Sequence, residues 1–246
     1  MDEQMTTTAA PAPAVPGLSP VETSARLAGW ALLLAGFGHV LRAGWEWALW
    51  TAGEPASGPP DQGEGRHRPL TGLENSYHFV TSLAAVTVLI CAVLFIGWLW
   101  RVRDNSVALT REPPRYRGFW VYLGWVLPIF NLWIPRGVVA DVYRKSAPGR
   151  PLPAVLNVWW VLWLIGLACG TGLMYSDGPD RLIERAYTEG WSLVVSEAVM
   201  VGAAVAGFLM VRAVTAAQLE RIASLTSAEP SAEPSAEPSA ESPAGE

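Results

Sequence analysis

Five apolar stretches dominate this 246-residue chain, at about residues 27–50, 79–100, 118–134, 154–175 and 191–211. Four of them reach the roughly 20 residues that an α-helix needs to cross about 30 Å of hydrocarbon. Lipid offers the backbone no hydrogen-bond partner, so such stretches must be helical, and the alternation of a barrel strand is missing. The sequence therefore predicts an all-α, polytopic integral membrane protein, a multi-pass component of the cell membrane. Composition agrees. Only 16% of residues are charged, and the 13 Trp suit a membrane–water interface. A soluble single-core enzyme does not fit these runs. A net charge of −5, with no basic domain to grip phosphates, speaks against a nucleic-acid binder.

The third stretch, GFWVYLGWVLPIFNLWIP, differs from the others because Pro128, Asn131 and Pro135 interrupt it. Proline removes a helical hydrogen bond, and an amide in an apolar setting must find a partner. Charge distribution decides between two topologies. If the stretch crosses, making five spans, the basic residues divide evenly, 8 on each side. If it is re-entrant or interfacial, leaving four spans, one side holds Arg26, the five Arg from 101 to 117, Arg136, Arg144, Lys145, Arg150, Arg212 and Arg221. The other side then holds only Arg66, Arg68, Arg181 and Arg185. Positive charge accumulates on the cytoplasmic side, so four spans with cytoplasmic N- and C-termini are expected.

Outside these stretches the chain is of low complexity. Residues 1–24 are rich in Pro, Thr and Ala, and residues 222–246 end in an acidic SAEP repeat. Neither can bury enough area to offset its ordering entropy, so both read as disordered around a membrane domain at 25–221. Cys91 and Cys169 lie within apolar stretches and read as small hydrophobes.

The centre of the chain carries a recognisable pattern. FIGWLWRVRDNSVAL is followed by W-x-x-x-G-W-x-x-P-x-x-N-L-W-x-P and then by VVADVYRKS. With Trp98, Arg101, Arg103, Asn105, Trp125, Pro128, Asn131, Trp133 and Pro135, it resembles the bacterial multi-spanning membrane family catalogued as domain of unknown function 4328. The resemblance runs from about Leu27 to Arg221. It implies a helical membrane domain and carries over no activity.

Three features could carry function. The arginine-rich stretch Arg101–Arg117 directly follows the second span, where anionic headgroups attract basic residues at about 1 kcal/mol each. Asn131 and Asn157 could lock the third segment against the fourth span. Ionisable Arg42, Glu46 and Glu197 lie within spans, with His39, Arg42 and Glu46 along one stripe of the first helix. Arg42 lies about 12 Å before Trp50 and Glu197 about 10 Å after Gly190, so an Arg42–Glu197 pair at similar depth is expected, with Glu46 as the rival partner. HExxH, GxSxG, Walker and CxxC patterns are missing, and Asp61, Glu64 and His67 in a Gly-rich loop make a weak metal set. No catalytic, cofactor or metal residue is expected. The sequence points to a non-enzymatic membrane component that engages partners or anionic lipid through an arginine-rich cytoplasmic face. A small-solute transporter or channel using the broken segment is the alternative, and a membrane enzyme ranks third.

Overall fold

The computed structural model describes residues 17–169 and 178–228. Among them the secondary structure is helical apart from a single Asp61–His67 bridge. The elements are α1 (Glu22–Ala52), α2 (Gly72–Asn75), α3 (Tyr77–Thr110), α4 (Trp120–Val126), a 3-10 turn (Phe130–Leu132), α5 (Ile134–Ser146), α6 (Ala154–Ala168), α7 (Pro179–Thr188) and α8 (Gly190–Ala228). Among the described residues, three helical runs are long and apolar enough to cross a membrane: Glu22–Ala52, Gly72–Thr110 and Gly190–Ser227. The predicted fourth span appears as α6, which is apolar but only 15 residues long. Residues 170–175 of that expected span lie outside the described residues.

Helix α1 is central, packed between α3 and α8, and α6 lies against α8. Small residues set these contacts, as in membrane helices, where backbones associate by close approach. Gly36 faces the Ala204 methyl, and Gly38 faces Ala84 and Thr87. Two apolar clusters cap the bundle. At the α5 end, Phe95, Trp98, Leu99, Val102, Val138, Val142, Trp159 and Met210 interlock. At the α7 end, Trp45 and Leu49 pack against Ile183, Ala186 and Leu193.

The third apolar stretch is broken where its prolines require. Helix α4 stops at Leu127, whose extended backbone is the conformation favoured before Pro128. The 3-10 turn reverses the chain, and Pro135 occupies the first turn of α5, where its missing N–H costs nothing. The two arms then run together. Gly124 meets Ile134 and Pro135, the Arg115 amide donates to Asp141 Oδ2 (3.2 Å), and Lys145 Nζ donates to the Pro113 carbonyl (2.9 Å). The segment leaves and returns at the same end of the bundle.

Two expected boundaries move. The leader assigned to residues 1–24 gives way to α1 at Glu22, and the Ser19 backbone is held from both sides by Asn105 (2.9 and 2.8 Å). The stretch assigned to the tail, 222–246, is helical through Ala228. Arg221, Ala223, Leu225 and Ala228 are good helix formers and no proline intervenes before Pro230, so α8 continues to Ala228. Residues 1–16 and 229–246, which carry the rest of the expected leader and tail, lie outside the described residues.

Candidate functional site

One stripe of α1 meets α8 in a buried charge network. His39, Arg42 and Glu46 recur at helical spacing and so face the same neighbour. His39 is 8% exposed, Glu46 1% and Glu197 of α8 3%. Arg42 Nε donates to Glu46 Oε1 (3.1 Å) and lies 3.3 Å from Glu197 Oε1. His39 Nδ1 lies 2.5 Å from Glu197 Oε2. The expected pair and its rival are therefore both present, because one guanidinium reaches both carboxylates. The His39 contact was not expected, although its place on the stripe was visible in the sequence. Among the described residues, Glu46 Oε2 has no hydrogen-bond partner.

A second ionic site closes the α7 end. Thr71 caps α2 in a reciprocal box with Glu74, the T-x-x-E pattern in which each side chain serves the other's backbone N–H. Arg68 grips the Glu74 carboxylate with two donors (2.8 and 2.6 Å), and the Tyr187 hydroxyl of α7 adds a third (2.9 Å). Glu74 precedes the apolar stretch of α3. The Arg68 hydrogen bonds hold its carboxyl at about 2, against the opposing effect of burial. Burial, and then the bond to Glu74, pushes the Tyr187 phenol up to about 12. The sequence reading missed this site, although the signal T71-G-L-E74 was in plain view. In the same loop, His67 Nδ1 lies 3.2 Å from Asp180, and Glu64 pairs with Arg66.

The α5 end holds most of the motif residues. Trp98 Nε1 donates to Thr215 Oγ1 (3.1 Å). Asn105 is fully buried, joining Ser19 to Gln218, and Gln218 in turn donates to the Val102 carbonyl (2.8 Å). Trp125 sits among Phe95, Trp159 and Trp163. Asn131 is buried at the break, whereas Trp133 is exposed. Asn157 does not meet Asn131: its side-chain oxygen accepts from Arg136 of α5 (2.6 Å), just beyond the third stretch. Arg103 bends back over Trp100, toward the Tyr116 carbonyl, while Arg101, Arg111, Arg115 and Arg117 remain exposed.

The sequence profile described as Domain of unknown function (DUF4328) matches residues 71–216. The chain belongs to this family. No curated protein and no solved structure matches it. The DUF4328 stretch is narrower than the resemblance suggested. It opens at the Thr71 cap and closes just after Thr215, so the whole broken segment and the Trp98–Thr215 bond fall within it. Helix α1 lies outside. Three of the four side chains in the charge network are therefore contributed by a helix that the DUF4328 match does not include, and only Glu197 comes from within.

Proposed function

We propose that the chain is a four-pass, non-enzymatic component of the cell membrane whose α5 end faces the cytoplasm and binds anionic lipid headgroups. The third segment is then a re-entrant or interfacial hairpin, and both termini are cytoplasmic. One juxtaposition carries this reading. Exposed Arg101, Arg111, Arg115 and Arg117 adjoin a hairpin whose Val126, Ile129, Leu132 and Trp133 are uncovered by protein. Apolar side chains that enter the acyl region beside guanidinium groups at headgroup depth are the two halves of interfacial lipid binding. The ionisable groups of the interior are engaged with one another, which favours a sealed bundle over a hydrated path.

The test is native mass spectrometry of the full chain, purified in mild detergent and offered phosphatidylglycerol or phosphatidylcholine. Selective retention of phosphatidylglycerol is expected, and it should be lost when Arg101, Arg111, Arg115 and Arg117 are changed together to Gln. Equal retention of both lipids would overturn the reading. A transport reading has one observation in its favour: Asn131 Oδ1, at the break, is buried and has no partner among the described residues.

A further inference from the structure

Charge balance in the α1–α8 network leads to a property that lipid binding does not require. Arginine stays protonated in proteins, so Arg42 supplies one fixed positive charge. Glu46 and Glu197, when both are ionised, supply two negative charges. With a neutral imidazole at His39 the network carries one negative charge too many, enclosed between two apolar helices where an uncompensated charge is expensive. The geometry shows where that excess lies. Arg42 is divided between two carboxylates, and Glu46 Oε2 has no donor among the described residues.

Among the described residues, no neighbouring element places a further cation in contact with the two carboxylates. Helix α3 presents Ala84 and Thr87 to Gly38, with Tyr77 further along, in a tilted ring contact with Trp45. In α2, Glu74 is occupied by Arg68 and Tyr187. Arg185 of α7 contributes positive potential at Glu46, but its guanidinium is bonded to Glu189 (3.3 Å). Ser196, beside Glu197, is neutral.

We propose that His39, Arg42, Glu46 and Glu197 form an intramembrane proton-binding site, loaded with one proton on the His39 imidazole. One ring nitrogen already faces Glu197, and a proton on the other completes an imidazolium. The network then resolves into two neutral pairs, His39 with Glu197 and Arg42 with Glu46. Release of that proton returns a net negative charge to the contact between the central helix and the last one. The α1–α8 packing thereby becomes responsive to protons.

The chain has three His, so the site can be read directly. With His67 and His78 changed to Gln, ¹⁵N-labelled His39 is observed by NMR in nanodiscs at neutral pH. Wild-type His39 is expected with both ring nitrogens protonated. Glu46→Gln removes the excess charge, so His39 should become neutral at the same pH; if that variant fails to fold, Glu197→Gln carries the same expectation. A neutral His39 in the wild type would overturn the proposal. An imidazolium that persists in the folded variant would overturn it too, since charge balance would not be setting its state. The spectrum is expected to be the same in sodium and potassium salts. A spectrum that follows the cation would assign the balancing charge to a metal ion and overturn the proton assignment.

Discussion

Arg68, in a loop, and Glu74, in α2, lie only six positions apart, yet the Glu74 carboxylate is among the most enclosed of the described groups. Two guanidinium donors, the Thr71 amide and the Tyr187 hydroxyl offset its lost hydration. Removing one partner of such a pair strands the other, so Arg68→Leu should destabilise the protein by about 3–5 kcal/mol in chemical denaturation, whereas Tyr187→Phe should cost about 1.5–3 kcal/mol. The pH dependence follows from the depressed carboxyl. Its stabilisation is present above the ordinary value of 4.5 and is lost as pH falls through about 2, so acid unfolding of wild type should sharpen in that window and Glu74→Gln should lack the step. In the charge network, a double-mutant cycle on Arg42→Leu and Glu197→Leu should give a coupling of about 0.5–3 kcal/mol, and additive losses would count against the pair. The stripe of His39, Arg42 and Glu46 was legible because helical periodicity alone defines it. The partner across the interface was inferred from depth. That His39 would take the second oxygen of Glu197 depends on how far α1 is rotated about its axis, which no single-helix pattern encodes.

Helix contacts here depend on small side chains, and Gly38 is the clearest case. A Cβ at that position would run into Thr87 and approach the Ala84 backbone at 3.2 Å, and backbone cannot move aside as a side-chain tip can. Gly38→Val should therefore pry α1 from α3 and destabilise by about 1–3 kcal/mol, the usual cost of overpacking, read as an earlier thermal transition. The break in the third stretch could be foreseen because Pro128 and Pro135 act locally. Its return arm could not. Helix α5 is too polar to register as an apolar run, and its buried face of Val138, Val139, Val142 and Tyr143 becomes a core face only when α3 and α8 lie beside it. Helix α7 escaped notice for the same reason: its Ile183 and Ala186 are sparse signals until Trp45 and Leu49 cover them. At the other extreme, composition alone makes a prediction. Deleting residues 229–246 should leave the thermal transition unchanged, because α8 ends at Ala228 and the SAEP repeat has nothing apolar to bury.

Across the whole molecule most of the basic residues gather at the α5 end, where Ser19, the hairpin and the last turns of α8 meet. The orientation this implies can be tested with single cysteines in a background lacking Cys91 and Cys169. Exposed Ser57→Cys and Thr188→Cys should react with an impermeant thiol reagent on intact cells, while exposed Glu112→Cys, Arg144→Cys and Ser227→Cys should not. Labelling at both Arg144→Cys and Ser227→Cys, with protection of Thr188→Cys, would mean that the third segment crosses. The same architecture has a consequence for how the protein is made. The central helix is synthesised before α8, and its partner in the charge network arrives 158 positions after His39. On the four-pass reading, α1 must hold its charges in the membrane during that interval without α8. Glu46, one helical turn from Arg42, gives the arginine a neutralising companion from the moment both enter the bilayer. The contact that later shares the guanidinium with Glu197 thus begins as a chaperone built into the helix itself, keeping α1 inserted until the last helix closes the bundle.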